Sequence, residues 1–274
     1  METIGSSRLW SLLDGSDAAT SNVSNTKIRS DAGHHVGSYL ELVRKVSELQ
    51  FRNREFVFLF RGQSRDYKNR QNNSSLRPSL LRSEKVGPNF ERLIAAERIL
   101  IERYRFTGSQ RLRRHQALRW ALLQHYGVCD TPLLDVTQSL RIAASFASQP
   151  ESKTAYVFVL GVPNISGAVT ASDEAGLEVI RLSSVCPPEA VRPHIQEGYL
   201  LSEYPELADL DQKNHYENHE LDFGKRIVAK FRFEPADFWK ADTAFPMVPR
   251  EALYPEAPHD PVLDLAREIR SLLS

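Results

Sequence analysis

The sequence is poor in the features that mark several large classes of protein. Only two cysteines, Cys129 and Cys186, occur among 274 residues, which is too few for a disulfide framework or a cysteine metal set. No apolar run approaches the roughly 20 residues of a membrane span, and the N-terminus lacks the basic-then-apolar pattern of a signal peptide. A reducing cytoplasm is therefore the simplest expected compartment, with no membrane partner.

The balanced charge gives no indication of a nucleic-acid or membrane binder, and several sequence motifs of known catalytic sites are absent. Basic and acidic side chains both number 35, so net charge indicates neither a nucleic-acid binder nor a membrane binder. The chain contains no Walker loop, no GxGxxG, no HExxH and no GxSxG elbow. His215 and His219 have a spacing that suits a metal on a helix face, but nothing else supports them, so no metal site is predicted.

Hydrophobic patterning predicts an α+β protein with a split, mostly antiparallel sheet and flanking helices. Residues 14–36 are small and polar without a period, so residues 1–37 read as a flexible leader, whereas residues 38–274 form one predicted domain. Ahead of the polar stretch, Leu9, Trp10, Leu12 and Leu13 can form one amphipathic turn that docks on the domain. Apolar spacing predicts helices early and strands late in the chain. The predicted strands are 55–60, 155–162, 177–182 and a half-exposed strand over RIVAKFRFEP (226–235), where Ile227, Ala229, Phe231 and Phe233 share one face.

The stretch FLFRGQSRD, residues 58–66, raises a specific question, because a strand-like apolar run ends on an arginine. Arginine is almost never fully buried unless it is paired. Arg61 therefore either clamps an internal carboxylate such as Asp135 or lies at the strand end to bind an anionic ligand. Both hold if Asp135 orients Arg61. Gly62 beside it permits close approach of a ligand to the backbone.

Two blocks carry a family resemblance: FLFRGQ over residues 58–63 and QHYGVCDTPLLDVTQSLRIAASFA over residues 124–147. Together they resemble the bacterial FRG domain, which is named for a Phe-Arg-Gly strand end. RPSLLR (77–82) and RPHIQEGYL (192–200) fit further blocks of that family. The resemblance covers about residues 38–256 and gives a family rather than a chemistry.

A more remote resemblance is to the ADP-ribosyltransferases of the Arg-Ser-Glu type. These enzymes place an arginine at the end of the first core strand, then a Ser/Thr strand with a short helix, and later a loop carrying Gln and Glu. The same order here is Arg61, Thr137 with Ser139, then Gln196 and Glu197, although this chain reads Gln-Glu-Gly rather than Gln-x-Glu. The resemblance implies an ADP-ribosyltransferase-like fold, NAD as substrate and an intracellular effector of a toxin or anti-phage system.

The same resemblance implies roles for individual residues. The implied catalytic residues are Arg61, His125, Thr137, Gln196 and Glu197. The implied contacts to NAD are Arg61, Gly62, Gln63, Tyr126 and Ser139, and Asp135 supports them. An arginine fork suits phosphate oxygens, and a carboxylate beside the ribose stabilises developing positive charge.

Each of these residues also has a simpler structural interpretation. His125 acts as a base or orients a ribose hydroxyl, or it caps a helix end. In the functional interpretation, Tyr126 stacks on a base or on the nicotinamide. Asp135 is more simply a member of a buried polar network, and Thr137 or Ser139 an N-cap. Gln196 can equally belong to a turn before a glycine, in which case the site lacks an inward carboxylate.

An arginine-rich segment precedes the second block and is the candidate partner surface. Arg103, Arg111, Arg113 and Arg114 would contact a nucleic-acid or nucleotide acceptor. Alternatively they form a solvated helix face or anchor the acidic segment 202–212. The competing functions are a non-catalytic nucleotide-sensing module, a protein-interaction module and, without a convincing metal set, a nuclease using Asp135 and His125.

Overall fold

The structure is a computed structural model that describes residues 2–4, 9–82, 85–149, 153–204, 221–256 and 259–273. Its strands are β1 (Trp10–Ser11), β2 (Thr20–Ser21), β3 (His34–His35), β4 (Val57–Gln63), β5 (Leu134–Thr137), β6 (Ala155–Val162), β7 (Val169–Ser172), β8 (Leu177–Arg181), β9 (Gly198–Glu203) and β10 (Ile227–Phe233). Its helices are α1 (Asn25–Ser30), α2 (Tyr39–Arg52), α3 (Val86–Arg103), α4 (Ser109–Arg114), α5 (Gln116–His125), α6 (Leu140–Ser148), α7 (Leu182–Val185), α8 (Val191–Ile195), α9 (Pro235–Lys240), α10 (Arg250–Leu253) and α11 (Pro261–Leu272).

The chain divides into two compact units, and each is built from separate stretches of sequence. Unit 1 comprises residues 1–76, 136–165 and 222–250. Unit 2 comprises residues 77–135, 166–221 and 251–274. The two halves of β5 belong to different units, since Val136 and Thr137 fall in unit 1 and the two residues before them in unit 2.

Unit 1 is organised around a mostly antiparallel sheet in the order β3-β10-β6-β4-β5. The central strand β6, AYVFVLGV, is antiparallel to both β4 and β10, while β3 lies parallel to β10. A near-continuous apolar strand of this kind is expected where both faces of a sheet are covered. Helix α6 packs on β4 and β6, and α1 packs on β10.

The close packing of α6 on β4 depends on Gly62. A Cβ built at this position would lie 1.8 Å from the backbone oxygen of Ala143 and 2.9 Å from the backbone nitrogen of Ala147. Both atoms are backbone atoms of α6, so neither can rotate away. Gly62 therefore brings helix and strand backbones together, and its absent side chain accounts for this glycine without a ligand.

The segment predicted as a flexible leader differs from that expectation in the part the structure describes. Residues 9–37 form β1, β2, α1 and β3, and Leu12, Ile28 and Val36 are buried. The carbonyl of Arg232 accepts a hydrogen bond from the amide of Val36 at 3.1 Å. Isolated apolar residues thus dock a polar stretch on the sheet, which composition alone does not reveal.

Strand β10 also differs from the half-exposed strand that alternation predicts. Val228 is fully buried, and Lys230 is only 1 % exposed although it lies on the predicted outer face. Helix α1 and strand β1 pack against β10. Lys230 is accommodated because buried acceptors surround its ammonium group.

Unit 2 combines an antiparallel three-stranded sheet, in the order β9-β8-β7, with a group of helices. Helix α3 packs against α5 and α11, and α4 packs against α5. The apolar faces of these elements form one core that includes Leu93, Trp120, Leu200 and Leu263. Within this core Glu97 accepts hydrogen bonds from Arg119 and from the indole of Trp120, at 2.5 and 3.0 Å.

The predicted class is confirmed as mixed α+β with a mostly antiparallel sheet and flanking helices. Among the described residues no helix has both the length and the apolar character needed to cross a membrane.

Replacing Gly62 by alanine is expected to destabilise the protein by about 3 kcal/mol or more, because α6 must move away from β4. Denaturant unfolding followed by circular dichroism measures the change. Gly37→Ala is the matched control, since the nearest atom to a Cβ there is the Glu41 carboxylate oxygen at 3.7 Å. It should change stability by less than about 0.5 kcal/mol. Equal stabilities of the two variants would contradict the packing role.

Candidate functional site

The residues of the FRG strand end point to opposite faces of β4. Because side chains alternate along a strand, Arg61 and Gln63 face away from Gly62 and hence away from α6. On the neighbouring strand β6, Phe158 lies opposite Arg61 and Tyr156 opposite Gln63. Gln63 is buried, and its amide oxygen has no hydrogen-bond partner among the described residues.

Thr137 and Ser139 form a connected cap at the start of α6. Thr137 lies opposite Phe60 where β5 meets β4. Its hydroxyl accepts a hydrogen bond from the Ser139 amide at 3.0 Å, and the Ser139 hydroxyl accepts from the Ile142 amide at 3.5 Å. The cap positions Thr137 one residue along the ladder from Arg61, and its hydrogen bonds are those of an ordinary N-terminus of a helix.

In unit 2 the end of α5 brings His125 next to Asp135. The His125 Nδ1 atom lies 3.8 Å from the Asp135 Oδ1 atom, and the two side chains are 6 % and 47 % exposed. The carboxylate favours a proton on Nδ1, which leaves Nε2 as the basic nitrogen. That Nε2 atom is buried and has no hydrogen-bond partner within the described ranges. The imidazole also lies over Gly198, where a Cβ would be 3.6 Å from its Cε1 atom.

Tyr126, the next residue, is held by a separate buried network. Its hydroxyl donates to the carboxylate of Asp260 at 2.7 and 2.9 Å. Burial, and then the hydrogen bond to Asp260, raise the pKa of Tyr126 well above its ordinary value. The guanidinium of Arg192 lies 5.2 Å from the centre of the Tyr126 ring and 3.7 Å from the Asp260 carboxylate. The hydroxyl of Tyr126 is thus engaged in a structural role.

Gln196 and Glu197 lie in the turn between α8 and β9. Gln196 is buried, and its amide nitrogen donates to the Leu253 carbonyl at 2.6 Å. Glu197 is exposed and has a left-handed backbone, with φ at +46°. A non-glycine residue in this region is uncommon and marks a constrained turn. The turn places Gly198 beside the His125 imidazole.

The structure therefore groups the sequence-derived candidates into two sets. Unit 1 holds Arg61, Gly62 and Gln63 on β4 together with the Thr137 and Ser139 cap. Unit 2 holds the pair formed by His125 and Asp135 beside the turn that contains Gln196 and Glu197, with Tyr126 in its own network. The catalytic and NAD-binding roles of these residues stay predictions.

The predicted basic partner surface is partly engaged. Arg103 lies 3.6 Å from Glu268, and Arg111 donates to the Ser184 carbonyl at 3.2 Å. Arg113 and Arg114 are exposed and make no ion pair or side-chain hydrogen bond with any residue the structure describes. Contact with a nucleic acid stays a prediction.

Two further sequence predictions fall partly or wholly outside the described ranges. The proposed acidic anchor 202–212 is described only to Tyr204, and His215 and His219 lie outside altogether. The residues that are described contain no group of three or more potential metal ligands.

Unit 1 contains a polar cluster that sequence reasoning did not single out. The ammonium group of buried Lys230 donates to Asp66 at 2.7 Å, to the Ser74 hydroxyl at 2.9 Å and to the carbonyl of Asp31. Burial lowers the pKa of Lys230, and Asp66 opposes that shift. Lys68 donates to the same Asp66 oxygen at 2.8 Å.

A cavity of about 660 Å³ opens beside this cluster. Its walls come from the loop that follows the FRG strand, from β6, from β10 and from the end of α1, and they include Ser64, Arg65, Asp66, Tyr156 and Arg232. The signal in the sequence was the position of SRD, residues 64–66, immediately after FRGQ. It was passed over because the segment reads as an ordinary polar loop.

Comparison with known proteins gives one result. The family model of the FRG domain matches residues 57–155. That range contains β4, the loop after it, the His125 and Asp135 pair and the Thr137 cap. Neither the curated proteins nor the solved structures provide a match.

Removing the Tyr126 hydroxyl is expected to destabilise the protein by about 1–3 kcal/mol, because the fully buried Asp260 carboxylate loses its shortest hydrogen bonds. Urea unfolding of Tyr126→Phe measures the change, and Tyr204→Phe, on a partly exposed ring, should shift stability by less than about 0.5 kcal/mol. An unchanged midpoint for Tyr126→Phe would show that this hydroxyl has no structural role.

Proposed function

Because the chain carries an FRG domain, we propose that it is an ADP-ribosyltransferase-like enzyme that cleaves NAD and transfers ADP-ribose to an acceptor. The observation that carries the proposal is the buried imidazole of His125, which has Asp135 near one nitrogen and an unsatisfied second nitrogen. The role as an intracellular effector, in a toxin or anti-phage system, belongs to the same proposal and follows from the resemblance in sequence.

The histidine–aspartate pair suits the proton transfer that this reaction needs. An unsatisfied buried nitrogen costs roughly 1–3 kcal/mol, a cost that an acceptor hydroxyl or amine would relieve by donating to Nε2. The Asp135 carboxylate then lies 3.8 Å from the imidazolium that forms. Such positioned general bases typically contribute about 10²–10⁴-fold to a rate.

In the proposed reaction the bond between C1′ of the ribose and the nicotinamide nitrogen breaks, and its electron pair leaves with neutral nicotinamide. The acceptor oxygen or nitrogen forms a new bond to C1′ and releases its proton to Nε2 of His125. Separately, within unit 1, the sequence resemblance implies that Arg61 contacts a pyrophosphate, because phosphate oxygens match the planar fork of a guanidinium. It also implies that Thr137, one residue along the ladder from Arg61, positions a ribose hydroxyl.

A second candidate, a non-catalytic nucleotide-binding module, is favoured by one observation. The amide of Gln196 is committed to the Leu253 carbonyl, and the neighbouring carboxylate of Glu197 lies on an exposed turn. A carboxylate beside the reacting sugar carbon is the group that stabilises an oxocarbenium-like transition state. Without it, the same scaffold binds a nucleotide and leaves it intact.

The deciding experiment is incubation with NAD labelled on its adenylate half, with protein, RNA and DNA offered as acceptors. The wild-type protein should transfer label, and His125→Gln should lower the rate by about 100-fold or more because the base is lost. Asp135→Asn should lower it by about tenfold. His115→Gln, which changes an exposed histidine at the other end of α5, should leave the rate within about twofold.

Free nicotinamide and bound NAD are measured in the same samples to separate the candidates. NAD that binds the wild-type protein but releases no nicotinamide with any acceptor supports the non-catalytic module and overturns the transferase. Transfer that persists at the wild-type rate in His125→Gln overturns the assignment of the base.

A further inference from the structure

We propose that the cavity of unit 1 binds a nucleoside 5′-monophosphate group, with Arg65 on the phosphate and Asp66 on the ribose hydroxyls. This inference rests on the cavity alone and does not depend on transfer of ADP-ribose. The proposed site binds this ligand and breaks none of its bonds.

The phosphate end is indicated by Arg65. Arg232 is bound to Asp14 at 3.0 Å and to the Gly33 carbonyl at 3.0 Å, and Lys68 is bound to Asp66 at 2.8 Å. Of the cations that line the cavity, Arg65 alone has no ion pair or hydrogen bond with the described part of the chain. Its exposed guanidinium is thus the available fork for phosphate oxygens.

The sugar end is indicated by Asp66. Its side chain is 8 % exposed, and its Oδ2 atom accepts from both Lys68 and Lys230. Its Oδ1 atom is buried and, within the described ranges, has no hydrogen-bond partner. A carboxylate oxygen in that state requires a donor, and a fully deprotonated phosphate group cannot supply one. The hydroxyls of a ribose can, and an acidic side chain is a recurrent ribose partner in nucleotide sites.

Other groups on the walls fit the same ligand. The hydroxyls of Ser64 and Tyr156 line the cavity and make no hydrogen bond with any residue the structure describes. Tyr156 lies nearly parallel to Phe158 with ring centres 6.3 Å apart, and its ring lines the cavity as a surface on which a base would stack. A volume of about 660 Å³ is within the range of small-molecule sites.

Competing negative charge does not exclude a phosphate. Asp31 also lines the cavity, but its Oδ1 atom accepts from the amides of Asp14 and Gly33 at 2.9 and 2.8 Å. The second acid, Asp66, is neutralised by Lys230 and Lys68. The lining therefore keeps a positive excess near Arg65.

The test is calorimetric titration of the full-length protein with AMP, 2′,3′-dideoxy-AMP, inorganic phosphate and a short single-stranded oligonucleotide. AMP should bind, and removal of both ribose hydroxyls should weaken binding by about tenfold because Asp66 loses its donor. Changing the ligand rather than Asp66 avoids disturbing the buried Lys230. The oligonucleotide distinguishes a free nucleotide from a strand end as the source of the group.

Arg65→Gln locates the site, and Arg70→Gln is the matched control. Arg70 is an exposed arginine of the same loop region that does not line the cavity. Arg65→Gln should lower the affinity for AMP by about tenfold or more, whereas Arg70→Gln should change that affinity by less than about twofold. Equal affinity of AMP and inorganic phosphate would overturn the ribose contact. Unchanged affinity in Arg65→Gln, or no binding of AMP at all, would overturn the site.

Because AMP cannot donate ADP-ribose, these outcomes are separable from those of the labelled-NAD experiment. A protein that binds AMP through Arg65 but transfers no label retains this site and loses the proposed reaction. A protein that transfers label but ignores AMP retains the reaction and loses the site.

Discussion

The fold of unit 1 depends on one buried charged group, the ammonium of Lys230. Lys230 is 1 % exposed, and an ammonium group in that position is tolerated only where acceptors surround it. Those acceptors come from two distant parts of the chain: the carbonyl of Asp31 in the N-terminal segment, and the carboxylate of Asp66 and the hydroxyl of Ser74 in the loop region after β4. One buried cation on β10 thereby fixes both the N-terminal segment and the loop after the FRG strand. The loop owes its position at the cavity to this network.

The two faces of β4 explain the residues found at the FRG strand end. Gly62 faces α6, where a Cβ would overlap the backbone of Ala143. Arg61 and Gln63 face the other way, so the strand presents polar groups only on the side that the helix does not occupy. A glycine between two polar residues thus lets one strand pack tightly and still supply candidate ligand contacts. The same short motif serves stability and, in our proposal, chemistry.

The sequence predicted those elements whose pattern is local. Strand 155–162 was predicted with the bounds the structure shows, because an unbroken apolar run is itself the signal. The hydrogen bond between Tyr126 and Asp260 joins residues 134 positions apart, and no periodicity announces it. The burial of Lys230 was missed for a similar reason: alternation marks it as outward, and only the tertiary fold supplies its acceptors. Residues 1–37 were predicted as a leader because residues 14–36 are small and polar without a period, and the buried Ile28 and Val36 stand in that stretch as isolated apolar residues.

Both proposals rest on buried polar atoms that have no hydrogen-bond partner among the described residues. Each costs roughly 1–3 kcal/mol, a sizeable share of the roughly 5–15 kcal/mol that stabilises a whole domain. The unsatisfied Nε atoms of arginines weigh less, because the remaining guanidinium nitrogens keep other contacts, as in Arg192. His125 Nε2 and Asp66 Oδ1 differ, since one is the basic atom of its ring and the other a carboxylate oxygen that needs a donor. Our two proposals therefore use two different atoms: a base in unit 2 for the transfer reaction and a carboxylate oxygen in unit 1 for the ribose hydroxyls of a nucleotide.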